Sequence, residues 1–372
     1  MRTIFKSFGR CSIVLDKYFR YNDNIRICTM QEMSPTENTC IHERSFAMEE
    51  LQKSGYLCHP QQMYTLRRVN ISEGRAKNTD VIEVCTAGGL QLDILPDAGL
   101  DIGQVRFRGI NMTFISKNGY DSPAVISPYE TEFLKTFPGG MLYTCGLRST
   151  GGAHRDGEEW HPLHGRYHSL PAENICTEVE GNEIVIRGTV RETALFGHNL
   201  VLKRTIRIPI FAAEVTVRDE LTNMAHSPEE YALLYHCNFG YPLVSEKAHV
   251  ELPEERKTSP RTPFAATGIG RETTFDKPAC GEEERVFFHE NMEHKAALVN
   301  PDINARMELT WSDTLPILAH WRSMASGDYV CGLEPTNSYI MGRKNERENG
   351  TLPVIAPFET VTTQVKFCFE TL

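Results

Sequence analysis

Four of the thirteen histidines in this chain fall within fifteen residues, 154–168 (HRDGEEWHPLHGRYH), together with three acidic residues. Imidazole is the side chain whose ordinary pKa lies nearest neutrality, so such a segment can give and take protons or ligate a metal with little adjustment. Pro162 and Gly165 oppose a helix here, and in a strand His161 and His164 point to opposite faces. The spacing contains neither an HxH pair nor HExxH, which disfavours a metal. Hydrogen bonding and proton exchange with hydroxyls is the expected chemistry, with His164, Arg166 and His168 presenting donors.

Three other segments carry reactive side chains. In YALLYHCNFGYPL, residues 231–243, a strand period puts His236 and Asn238 on one face and Tyr235 and Cys237 on the other. In YVCGLEPTNSYIMGR, residues 329–343, Glu334 ends an apolar run. A carboxylate there is costly unless it faces a polar cavity or finds a partner, for which Arg343 and Arg322 are candidates. Glu359 precedes the last alternating run, in IAPFETVTTQVKFCF, where a turn glutamate is ordinarily solvated. A fourth stretch, PGGMLYTCGLRSTGG, runs into the histidine segment, and its glycines let backbone approach a ligand closely.

The elements that must position these residues read as strands. Ile184, Ile186, Gly188 and Val190 alternate with Val185, Arg187, Thr189 and Arg191. The same period recurs through Leu200, Leu202, Ile206 and Ile208, through Val215 and Val217, and through Val361, Val365, Phe367 and Phe369. Such runs are half-buried antiparallel strands. The clearest helical signal is residues 127–136, SPYETEFLKT, with Ser127 as cap and Pro128 in the first position. With 27 glycines and 20 prolines as punctuation, the chain is expected to be all-β, a large antiparallel sandwich with few short helices. Residues 1–50 read as a poorly ordered extension and 51–372 as the sandwich domain.

Composition narrows the partners. A formal charge of -10 without a long Lys/Arg cluster argues against nucleic acid or an anionic membrane, and favours a small polar ligand. No apolar run approaches the roughly 18 residues of a membrane span. Eleven scattered cysteines with no CxxC pair fit a reducing, cytoplasmic setting.

The order of these segments resembles the galactose mutarotase (aldose 1-epimerase) superfamily. Its HG motif is matched by His164-Gly165, its N-H-x-Y-F-N-L strand by His236 and Asn238, and its PGE turn by Pro357-Phe358-Glu359. More closely, DAGLDI (97–102), GGMLYTCGL (139–147), HGRYHSLPAE (164–173) and GLEPT (332–336) resemble the DUF4432 branch. Ala98 stands where that branch often has arginine, and Phe358 where the family has glycine. The resemblance implies a galactose mutarotase-like supersandwich and an isomerase that interconverts sugar anomers by acid/base ring opening, with no metal or cofactor. Carried over, Glu359 takes the proton of the anomeric hydroxyl, His236 protonates the ring oxygen, and His164 orients the sugar or shares the acid role. Glu334, Arg166, Asn238, Arg148, His168 and Asp101 become substrate contacts. Two other readings stay open: a sugar-binding or sensor protein without turnover, and a different sugar isomerase or lyase on the same fold. Which sugar is bound, and the oligomeric state, are open too.

Overall fold

The computed structural model describes residues 48–372; the expected N-terminal extension lies, but for its last three residues, outside them. Antiparallel strands dominate. A five-stranded meander runs Tyr64–Asn70, Asp80–Thr86, Leu90–Leu95, Asp101–Phe107 and Ile110–Asn111. An eight-stranded sheet carries the long alternating runs, with Glu183–Thr193, Asn199–Pro209, Glu214–Asn223 and Thr360–Glu370 as consecutive neighbours. A six-stranded sheet has the order Lys257–Pro260, Arg285–Glu290, Ile317–Ala325, Asp328–Thr336, Ala232–Phe239, Tyr143–Leu147. The expected all-β sandwich is what the chain forms.

Period-two alternation explains the packing. In the six-stranded sheet Leu233, Tyr235, Cys237, Leu318, Cys331 and Leu333 face inward and join Ile184, Leu202, Val217, Phe367 and other residues of the eight-stranded sheet in one core. The alternate positions face the other way, where Leu234, Ala319, Val286 and Phe288 meet Phe133, Phe137 and Tyr143 in a second cluster. This second face carries the site.

One expected element is shorter than its sequence signal. The helix expected over 127–136 is confined to Phe133–Thr136, and Ser127 caps nothing. Glu130 takes a left-handed φ of 46°, which breaks the helix before it can start at Pro128. Its carbonyl instead accepts the Leu163 N–H at 2.9 Å, tying this segment to the histidine loop.

Candidate functional site

A cavity of about 440 Å³ opens on the second face of the six-stranded sheet, within the range of small-molecule sites. Its walls are largely apolar, with Phe114, Phe133, Phe137, Leu163, Val286 and Trp321 among them, and His164, His236 and Glu334 line it as well. Strand register brings the last two together. Leu234 pairs with Thr336 and Cys237 with Leu333, so His236 and Glu334 stand opposite each other on adjacent strands. His236 Nδ1 and Glu334 Oε1 are 3.3 Å apart, and among the described residues neither atom hydrogen-bonds elsewhere.

The carboxyl reaches this position because residue 332 is glycine. A Cβ on Gly332 would lie 2.4 Å from Glu334 Oε1 and 3.2 Å from Trp321 Cβ. The first and third residues of GLEPT therefore act together, one leaving the space that the other fills. Burial drives both groups toward neutrality. The His236 imidazole is held down to about 4, with Asn238 opposing, and the Glu334 carboxyl is pushed well above its ordinary range, with Glu284 adding to the push and Arg261 opposing it. An uncharged imidazole beside a protonated carboxyl is the resting state these shifts favour.

His164 arrives from the irregular loop. It holds a left-handed φ of 60°, pinned by its N–H on the Gly151 carbonyl at 2.8 Å and by its own carbonyl, which accepts the Gly146 N–H at 3.1 Å. A Cβ at Gly165 would strike the carbonyl oxygens of Ser149 and Gly146 at 2.4 and 2.5 Å, so the His-Gly pair is a steric requirement of this turn. The Gly151 N–H donates to His164 Nδ1 at 3.4 Å, which places the ring proton on Nε2. Burial keeps this imidazole neutral as well. Its ring meets that of His236 edge to face, with centroids 5.7 Å apart.

The other residues expected at the site go elsewhere. Glu359 is exposed on the turn before the last strand and is absent from the cavity lining. Phe358 adopts a φ of 61° and donates its N–H to Asn223 O at 2.7 Å, and Glu359 Oε2 folds back to accept the Ala356 N–H at 2.7 Å. Asn238 is buried, and its amide donates to the carbonyls of Gly140 and His236 at 3.0 and 2.9 Å. Arg148 is bonded to Glu229 at 3.0 Å and to Glu159. Arg343, weighed as a partner for Glu334, binds Glu229 at 2.7 Å and Glu230 at 3.0 Å. Arg322, the other such candidate, donates to the carbonyls of Arg271 and Thr274. Arg166 secures the loop through its N–H on Gly146 O at 2.9 Å and does not line the cavity. His168 lies behind the wall, stacked on Tyr143 at 5.0 Å and edge-on to Phe133 at 5.3 Å. Asp101 is locked to Arg204. His154 and His161 stack on each other at 5.3 Å in a hairpin. Among the described residues no group of three His, Cys, Asp or Glu side chains is arranged to hold a metal.

Sequence reasoning missed Trp321, Glu284 and Arg261. Trp321 faces His236 with ring centroids 5.3 Å apart, and its indole N–H donates to Glu284 Oε2 at 2.7 Å. The signal was the alternation of Ala319 and Trp321 with Leu318 and His320, which puts the tryptophan on Glu334's face.

The fold is widely represented: the chain matches a Klebsiella pneumoniae protein provisionally named an aldose 1-epimerase, with 24% identity over 82% of this chain and 83% of that one and a TM-score of 0.77. It also matches a galactose mutarotase-like protein from Clostridium acetobutylicum, with 13% identity over 84% and 100% and a TM-score of 0.60. A galactose 1-epimerase from Lactobacillus acidophilus matches with 15% identity over 82% and 99% and a TM-score of 0.57. At these identities the likeness establishes the fold. A search of the curated proteins found no match. Among the described residues no helix is long and apolar enough to cross a membrane. The sequence profile of the domain of unknown function DUF4432 matches residues 76–368, which takes in every residue of the cavity, and the chain belongs to that family.

Proposed function

We propose that the cavity binds a sugar and interconverts its anomers by acid/base ring opening, with His236 and Glu334 as the reacting pair. The observation that carries this reading is their convergence, with His164, in one apolar pocket on a mutarotase-like fold. Neutral His236 takes the proton of the anomeric hydroxyl while protonated Glu334 gives its proton to the ring oxygen. The bond between the anomeric carbon and the ring oxygen breaks and a carbonyl forms, leaving an imidazolium beside a carboxylate. Rotation about the neighbouring carbon–carbon bond and the reverse transfers close the other anomer. No oxidation state changes.

The energetics favour this order of charges. Burying two isolated ions costs several kcal/mol each, whereas their attraction at this separation is about 5 kcal/mol at an effective dielectric near 20. The neutral pair therefore rests, and the ion pair is a transient that the same contact stabilises. His164 Nε2–H is positioned as a hydrogen-bond donor to the oxygen on which charge develops. In this scheme the carboxyl role falls to Glu334 and not to Glu359.

NMR exchange spectroscopy across aldoses, ketoses and their acidic derivatives tests the reading. Faster anomer exchange of one sugar, lost in His236→Asn and in Glu334→Gln but kept in Glu359→Gln, is the expected result. Binding without acceleration for any sugar sinks the catalytic reading in favour of a sensor, and an ultraviolet-absorbing unsaturated product points to a lyase.

A further inference from the structure

Ring opening leaves one charged group of the cavity unused. Arg261 lines the pocket directly after the strand Lys257–Pro260, and its N–H is fixed on the Val286 carbonyl at 2.9 Å. Among the described residues no ion pair or side-chain hydrogen bond engages its guanidinium. The other charged groups of the lining are engaged. Lys117 Nζ and Asp328 pair at 2.7 Å, Glu284 accepts the Trp321 indole N–H at 2.7 Å, and Glu334 faces His236. Neighbouring arginines are engaged too: Arg285 pairs with Glu282 at 2.6 Å, and Arg322 donates to backbone carbonyls.

A guanidinium presents a planar fork of donors that matches a carboxylate or a phosphate and, beside apolar walls, binds either more strongly than it would in open water. A neutral diol offers it no opposite charge. We infer that the ligand is an anionic sugar, a sugar acid or sugar phosphate, whose anionic group binds Arg261 while its hydroxyls reach His164, His236 and Glu334. The reaction rests on the proposed ring opening, but the anion site does not, because it is read from binding alone.

The experiment compares stereochemically matched probes by ligand-observed NMR titration and by anomer exchange: glucose with glucuronate and glucose 6-phosphate, and galactose with galacturonate and galactose 6-phosphate. The parent protein is set against Arg261→Gln and Arg261→Lys. Because Arg261 is exposed and unpaired, both variants should fold, which a melting curve checks. The expected result is an anionic probe bound about 10- to 100-fold more tightly than its neutral parent, the range for a hydrogen bond to a charged group, with the advantage erased in Arg261→Gln. Partial recovery in Arg261→Lys for the phosphate, but not for the uronate, identifies a phosphate; a uronate preference needing the arginine fork identifies a carboxylate. Equal binding of neutral and anionic probes, or an anion preference that persists in Arg261→Gln, overturns the inference and leaves ring opening untouched. Arg261-dependent binding without accelerated exchange upholds the inference and defeats ring opening.

Discussion

Two clusters of buried titratable groups sit on opposite sides of the six-stranded sheet, and only one of them is left with unmet hydrogen-bonding capacity. On the inner side Arg204 donates to Asp219 Oδ1 and Oδ2 at 2.9 and 2.7 Å, to Asp101 at 2.5 Å, to Gly99 O at 3.2 Å and to Thr144 Oγ1 at 2.9 Å. Thr144 donates twice to Asp101, and Tyr235 donates to Asp219 at 2.7 Å. All five guanidinium donors are spent. On the outer side His236 and Glu334 share a single contact, and each has an orphaned atom facing the other. Burial alone thus does not mark a reactive group. Asp101 and Glu334 are both buried and both pushed upward, Asp101 to about 6 by burial against the opposing effect of Arg204. Asp101 is saturated with donors and holds sheets together; Glu334 faces a cavity with its chemistry unspent.

The comparison breaks first at Arg204. Arg204→Met strands two buried carboxylates, and the expected cost is about 3–5 kcal/mol, read as a large fall in the urea midpoint or as loss of soluble protein. Glu334→Gln removes no charge from the resting state. It should leave the melting temperature nearly unchanged and cut anomer exchange by roughly 10²–10⁴-fold, the usual worth of a positioned acid or base. An unstable Glu334→Gln, or a stable Arg204→Met, reverses the assignment of structural and reactive roles.

Gly332→Ala sharpens it further. The added methyl competes with Glu334 Oε1 for the same space, and a carboxyl can swing away at little cost, so stability should fall by only about 1 kcal/mol. A displacement of this kind is expected to slow exchange by roughly 10- to 100-fold. Restored activity on adding a small carboxylic acid would identify the displaced group.

Acid sensitivity separates the buried imidazoles from the buried carboxyls by sign. Burial depresses His161, His236 and His289 to about 4 and His168 to about 3, and it holds His164 and His320 well below the ordinary imidazole range. Each binds a proton more readily unfolded than folded, so its contribution is complete above about pH 6.5 and drains away as pH falls toward 4. Raised carboxyls act oppositely. Asp101, Glu192 at about 7 and Glu334 contribute stability at low pH that is lost as pH rises through their folded values. With His198 also depressed and Asp93 also raised by burial, seven imidazoles outweigh four carboxyls, and the melting temperature should drop between pH 6.5 and 4. His236→Asn should shallow that slope slightly, and a flat profile would show that these imidazoles are hydrated.

The sheets were legible because alternation is local: each run from Glu183 onward shows its buried face without its neighbours. The histidines were legible as a cluster, but not by destination. Of the four in residues 154–168, His164 alone lines the cavity, since the left-handed turn at His164-Gly165 depends on carbonyls at Gly146 and Ser149 that are remote in sequence. Glu334 was legible as a buried carboxylate in need of an explanation, and its cavity supplies one where Arg343 and Arg322 do not. Arg148 and Asp101 stood as ligand contacts on the resemblance; two of their counter-charges, Glu229 and Arg204, are 81 and 103 residues away, and Glu159, the other partner of Arg148, is 11 away. Arg261 gave no signal at all, because a lone arginine in a turn shows its lack of a partner only in three dimensions.

Glu359 is the smallest expected effect and the most discriminating. Family resemblance assigns it the base, while its carboxylate closes the turn on the Ala356 N–H, and its neighbour Phe358 stands exposed against His226 with ring centroids 5.1 Å apart. Bringing Glu359 to His236 would mean undoing that turn and the two hydrogen bonds that join 358 and 359 to Asn223. Glu359→Gln keeps an acceptor for the Ala356 N–H, so exchange rate and stability should both stay within about twofold and 0.5 kcal/mol of the parent. Glu359→Ala removes the acceptor and should cost stability alone, about 0.5–1.5 kcal/mol, as for a typical lost hydrogen bond. If Glu359→Gln instead abolished exchange with the melting temperature intact, the turn would have to open during the reaction, and the base would return to where the resemblance put it.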